Sequence, residues 1–108
     1  LIRYRFYVGV SLERFLEQVE SLIAQVEGLP YDFTLFPGTG YWLGQREEST
    51  VLEVVGEADD IDPNLARTLA RVYEQEAVFV TWDPVEVAMV GPLDKDHIMK
   101  GEEGKCTG

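Results

Sequence analysis

Ile2-Arg3-Tyr4-Arg5-Phe6-Tyr7-Val8-Gly9-Val10-Ser11-Leu12-Glu13 is the stretch whose reading decides the fold. Ile2, Tyr4, Phe6, Val8 and Val10 fall on one side of a period-two alternation, and Arg3, Arg5, Tyr7 and Gly9 on the other. Alternation of this length predicts a strand with one buried face. Ser11 then has the chemistry of an N-cap, and Glu13 follows in the first turn, where a helix N-terminus favours negative charge. A strand that hands straight over to a helix opens a βαβ unit.

Working outward, Leu12, Phe15, Leu16, Val19, Leu22, Ile23 and Val26 recur at three- and four-residue spacing and predict one amphipathic helix. Gly28 and Pro30 end it. Tyr31 to Phe36 reads as a second strand. Pro37 to Glu48 interrupts it with three glycines and reads as a long hairpin tip or a bent strand end. Ser49 to Gly56 is the third strand. Asp62-Pro63 marks a helix start, and Leu65, Leu69 and Val72 give the second helix its apolar stripe. Ala77 to Trp82 is the fourth strand, and Val85 to Val90 a short fifth strand or its continuation. The order β-α-β-β-α-β predicts an α+β, ferredoxin-like fold: a four-stranded antiparallel sheet with two helices on one face. Residues 1–90 form that domain, and 91–108 read as a polar, flexible C-terminal tail.

The same alternation assigns the face that the helices leave open. It carries Tyr7, Phe36, Val51, Val55 and Phe79, too many apolar groups for a solvated sheet, and these are the expected interface of a homo-oligomer.

Composition bounds the function. The chain has 108 residues with 45% hydrophobic and 27% charged, the profile of one globular domain. Its net charge is -11, and the acidity lies in the second part: residues 47–108 carry 5 basic and 15 acidic side chains. No basic stripe is present to replace counterions on phosphate, so neither nucleic acid nor an anionic membrane is an expected partner. No apolar run approaches the ~20 residues of a membrane span, and no signal-peptide pattern opens the chain. A single cysteine, Cys106, forms no intrachain disulfide, which with the other features gives a cytoplasmic expectation.

Catalytic constellations are sparse. His97 and Cys106 lie in the tail and supply two ligands where a closed zinc site needs four. Glu57, Asp59, Asp60 and Asp62 lack calcium-loop spacing. Glu47 and Glu48 are adjacent, so strand geometry turns them to opposite faces. No catalytic or metal residue is assigned, and no cofactor is identified. The segment with the strongest ligand character is Gly38-x-Gly40-Tyr41-Trp42-x-Gly44: glycine lets backbone approach a ligand, and the rings offer stacking surfaces. Gly38, Gly40, Tyr41, Trp42 and Gly44 are the candidate ligand-binding residues. Tyr41 and Trp42 are expected on opposite faces, one inward and the other at a cleft or subunit boundary.

Thr34-Leu35-Phe36-Pro37-Gly38-Thr39-Gly40-Tyr41-Trp42-Leu43-Gly44, followed by Val51-Leu52-Glu53-Val54-Val55, resembles the PII-like and CutA-like superfamily. The resemblance implies a trimer with a small-molecule site in clefts between subunits, that is, a non-enzymatic regulatory module. Gly40-Tyr41-Trp42-x-Gly44-x-x-Glu47-x-Ser49 and Gln75-Glu76-Ala77-Val78-Phe79-Val80-Thr81 also resemble small uncharacterised proteins of prokaryotes and their viruses. Two other functional classes stay open: an acidic protein-interaction factor, virus-encoded or not, and an enzyme of dimeric α/β-barrel type.

Overall fold

The computed structural model describes residues 1–25, 33–57, 64–92, 97–100 and 106–107. Strand β1 (Ile2–Val8) is followed by α1 (Leu12–Glu17), α2 (Val19–Gln25), β2 (Phe33–Trp42), β3 (Gln45–Gly56), α3 (Leu65–Val72), β4 (Phe79–Pro84), β5 (Glu86–Met89), β6 (His97–Lys100) and β7 (Cys106–Thr107). The protein is α+β. Its main sheet is antiparallel with strand order β2-β3-β1-β4.

The two faces of that sheet have different fates. Phe6, Val8 and Val10 of the first strand region and Leu52 and Val54 of β3 pack against Phe15, Leu22, Leu65, Leu69 and Tyr73 to form the core. All three helices therefore cover the same face. Two buried hydroxyls in this layer are satisfied: the Thr50 hydroxyl donates to the Val10 carbonyl at 2.9 Å, and the Tyr73 hydroxyl to the Phe15 carbonyl at 2.8 Å. The Tyr73 ring also stacks on Phe15 with centroids 4.2 Å apart. Burial pushes the Tyr73 phenol up to about 12.

Among the described residues three helices stand where two were expected, because the first divides at Gln18, whose backbone leaves helical geometry (φ -111°, ψ 2°). Ser11 caps α1 as its chemistry predicts, accepting from the Arg14 N–H at 3.2 Å. Leu16 and Ile23 do not join the core; they are 51% and 47% exposed. Each lies one residue past a buried position, hence about 100° around the helix axis. The expected stop at Gly28 and Pro30, the strand start at Tyr31 and the helix start at Asp62-Pro63 lie outside the described residues.

The largest departure from the sequence reading is at Pro37 to Glu48. The hairpin tip is confined to Leu43 and Gly44, and the rest of the segment is strand. The β2–β3 ladder runs unbroken from Phe33↔Val54 to Trp42↔Gln45. A two-residue turn closes it, with Leu43 at φ 49° and Gly44 at φ 80°. Two successive positive φ values match the right-handed twist of a hairpin, so the ladder needs no longer connection. Pro37 is tolerated because β2 is an edge strand. β1 pairs with β3 only as far as Val8↔Thr50, so residues 38–49 project beyond the sheet as a two-stranded ribbon.

Strand β4 starts at Phe79, its partner in β1 being Tyr7. Ala77 and Val78, expected in this strand, precede the ladder, because β1 gives way to Gly9 beyond that point. Within 91–108, the stretch expected to be a loose polar tail, His97–Lys100 and Cys106–Thr107 run as strands, giving a second sheet in the order β5-β6-β7. The tail reading weighed side-chain burial, whereas a short ladder is held by backbone hydrogen bonds. Among the described residues no helix is long and apolar enough to cross a membrane.

Candidate functional site

The open face of the sheet is ordered in rungs set by the strand register. One rung runs Phe36, Val51, Tyr7, Phe79 across all four strands and is wholly apolar or aromatic. The next runs Thr34, Glu53, Arg5, Thr81, and the one beyond joins Val55, Arg3 and Asp83. The two polar rungs neutralise themselves. Arg3 forks onto Asp83 with bonds of 3.2 and 2.8 Å, and Arg5 donates to Glu53 at 3.0 Å. Glu53 holds the Arg5 proton more firmly than usual. These charges are committed to one another.

On the other side of the aromatic rung the side chains vanish. Gly38, Gly40 and Gly9 share this face with Ser49 and Glu47, and the space opens into a hollow of about 710 Å³. The ribbon forms one wall, with Gly40, Tyr41, Trp42, Glu47 and Ser49. Tyr7 and Phe79 form the floor from the apolar rung. The segment Glu74 to Val78 forms the opposite wall. Among the described residues the lining carries three carboxylates, Glu47, Glu74 and Glu76, and no Lys, Arg or His. Such a surface attracts cations and repels phosphate.

Gly9 is the closest point between the two walls. A Cβ there would overlap the Glu47 carboxylate and lie 2.8 Å from the Gln75 side-chain oxygen. Both are far ends of flexible side chains, so a residue with a Cβ at position 9 would displace the Glu47 and Gln75 side chains from where they meet. The Gly9 N–H donates to Gln75 Oε1 at 3.2 Å, and Gln75 Nε2 donates to the Tyr73 carbonyl at 3.1 Å. Among the described residues the Glu47 carboxylate has no ion-pair partner. A carboxylate in a hollow also lined by Tyr7, Tyr41, Trp42 and Phe79 has the chemistry to hold a compact organic cation, which both negative charge and aromatic rings attract. No group of metal-ligating side chains occurs among the described residues.

The residues named from sequence are placed as follows. Gly40, Tyr41 and Trp42 border the hollow. Gly38 lies one rung inward, where a Cβ would come 3.0 Å from the Ser49 hydroxyl. Gly44 serves the turn and does not line the hollow. Neither Tyr41 nor Trp42 packs inward; they are 70% and 66% exposed, since the ribbon has no helix beside it. Of the five interface residues, Tyr7, Phe36, Val51 and Phe79 share a rung, but Val51 is only 4% exposed, covered by its neighbours. Val55 sits apart in a charged rung. Phe79 is 73% exposed and is the member of the set that offers surface. Gly9 and Gln75 were missed, because nothing in the spacing ties residue 9 to residue 75. A glycine in an otherwise alternating strand was the available signal.

No protein-family model matches this chain. No curated protein matches it either. Among solved structures, the fold is similar to that of a phage SAM lyase in the apo state, with a TM-score of 0.56 and 18% identity. The match covers 76% of this chain and 78% of that chain.

Proposed function

We propose that this chain binds S-adenosylmethionine in the hollow between the hairpin ribbon and residues 74–79, and cleaves it as a lyase. The observation that carries the reading is the lining: carboxylates and aromatic rings, with no basic residue and no ion-pair partner for Glu47 among the described residues. A sulfonium ion is a compact organic cation, and ring faces contribute from ~0.5 to ~2 kcal/mol to holding one as the site dries. Likeness of fold to a phage SAM lyase supports the substrate class. The chemistry demands little of the protein. When the substrate's own carboxylate attacks the carbon attached to sulfur, the C–O bond forms as the C–S bond breaks. The bonding pair leaves with sulfur as a neutral thioether, and a lactone results. No water, metal or proton donor is consumed. Glu47 holds the sulfonium, and the rings exclude water.

Self-association belongs to this reading. Tyr41, Trp42 and Phe79 stand exposed at the rim, and a second copy seated there dries the hollow. The trimer is favoured by the resemblance to PII-like proteins. The finer fold assignment, ferredoxin-like, is supported by the strand order β2-β3-β1-β4 with every helix on one face.

The test is incubation with S-adenosylmethionine, followed by mass-spectrometric detection of methylthioadenosine and homoserine lactone. Glu47→Gln weakens substrate binding about tenfold, read as a raised KM, while the melting temperature stays unchanged, because Glu47 is exposed. Absence of both binding and product at millimolar substrate refutes the reading. Binding without turnover instead selects the second reading, a non-enzymatic PII-like ligand-binding module, which the same hollow supports. An acidic protein-interaction factor, the remaining alternative, rests on the net charge of -11 and predicts a salt-sensitive complex with a basic protein.

A further inference from the structure

We infer that Gln75 is a positioning residue for this site: its side-chain amide bridges the Gly9 N–H and the Tyr73 carbonyl, and so fixes the wall that faces Glu47. The inference rests on the ligand reading above and adds a residue to it. Gln75 sits between Glu74 and Glu76, yet the residue turned towards Gly9 is the neutral one. The hydrogen-bond pattern explains why. The Gly9 side needs an acceptor, at 3.2 Å, and the Tyr73 side needs a donor, at 3.1 Å. A primary amide supplies both at once, whereas an ionised carboxylate supplies acceptors alone.

Both ends of the bridge are themselves anchored. The Gln75 N–H donates to the Ala70 carbonyl at 2.8 Å, closing the end of α3. Tyr73 is fixed by its hydroxyl on Phe15 and by ring stacking. Glu74 between them adopts φ 55°, a conformation that side chains seldom take, which turns the chain sharply enough to bring Gln75 over Gly9. Rigid support from the core thus reaches the hollow through one amide. With no side chain on Gly9, the Glu47 carboxylate and the Gln75 oxygen come together over its Cα. Shifting this wall changes where Glu47 meets a cation.

Two variants test the bridge, Gln75→Met and Gln75→Glu. The first keeps bulk and removes both bonds. Amide hydrogen exchange at Gly9, read by NMR without ligand, accelerates about tenfold in this variant if the bridge holds that N–H. Unchanged Gly9 exchange overturns the inference, and this readout stands whether or not S-adenosylmethionine is the ligand. Gln75→Glu supplies the kinetic test. When protonated, below about pH 4, the introduced carboxyl both donates and accepts, like the amide. Once ionised it only accepts, and it faces Glu47, Glu74 and Glu76, with Tyr7 and Tyr41 also on the lining and no basic group. The expected result is a KM that rises about tenfold between about pH 4 and about pH 7 relative to the unsubstituted protein, with kcat within about threefold. A KM that tracks the unsubstituted protein throughout overturns the positioning role, as does a loss that is the same at both pH values and follows the melting temperature. Absence of turnover in the unsubstituted protein overturns the lyase reading, and Gly9 exchange then decides the bridge alone.

Discussion

Tyr73→Phe at alkaline pH tests the link between core and site. The change removes one hydroxyl from a side chain that is 4% exposed and donates at 2.8 Å to the Phe15 carbonyl. Near pH 8 the variant loses about 1–1.5 kcal/mol, the net worth of a buried hydrogen bond. The order then reverses as pH rises. In the native state the phenol is pushed up to about 12, against an ordinary value of 10.0. Between those values the unfolded chain gives up the proton while the folded one keeps it, so the unfolded state binds fewer protons and stability falls with pH. The full difference corresponds to about 2–3 kcal/mol, at ~1.36 kcal/mol for each pH unit. The Phe variant lacks this loss. Urea unfolding followed by circular dichroism, from pH 8 to just above pH 12, should therefore show the native protein starting ahead and ending behind its variant. Other tyrosines and lysines titrate in both proteins and cancel in the difference. Parallel stability curves refute the argument, because they mean that Tyr73 titrates alike in folded and unfolded chains.

Trp42→Ala should cost the fold no more than about 1.5 kcal/mol, well below the ~3–5 kcal/mol of a core aromatic, since the ring is 66% exposed; thermal melts check this. The same variant should lose substrate binding in calorimetry. Leu43→Asn should stabilise the protein by about 1 kcal/mol, because Leu43 has φ 49° and is 90% exposed, so strain is relieved and no burial is lost. A lower melting temperature would contradict the turn assignment. Phe79→Glu should shift the species seen by light scattering towards monomer at micromolar concentration, with the far-UV spectrum unchanged, since Phe79 is 73% exposed.

The parts legible in the sequence were those governed by local periodicity. Ile2 to Val10 and Ser49 to Gly56 show their two faces through alternation, and the core lies on the side that Phe6, Val8, Leu52 and Val54 mark. The Ser11 cap is likewise a local signal with a local cause. What the sequence concealed depends on neighbours. Leu16 and Ile23 look like core in a helical count, but the width of the buried stripe is set by the sheet and by α3. Gly38 and Gly40 read as loop residues in isolation; pairing with Ser49 and Glu47 makes them strand. The site is legible only in part for the same reason. Gly40, Tyr41 and Trp42 announce themselves by type, whereas Gly9, Glu47 and Gln75 acquire meaning from a register and a turn that bring three distant stretches together.

The hairpin ribbon is a lever. Five residues of β3, Gln45 to Ser49, extend past Thr50, the last to pair with β1, and at ~3.4 Å per residue the overhang is about 17 Å. Thr50 is its fulcrum: fully enclosed, with its hydroxyl pinned to the Val10 carbonyl at 2.9 Å. Bending the ribbon by about 10° about that point carries its tip through about 3 Å, on the scale of a side chain's width, given the same rise per residue. Trp42 sits near the moving end and Gly9 beside the fixed one, so the mouth of the hollow widens or narrows far more than its base. A wedge-shaped opening of this kind grips small groups at the apex with constant geometry, while its aperture follows the flexing of two strands.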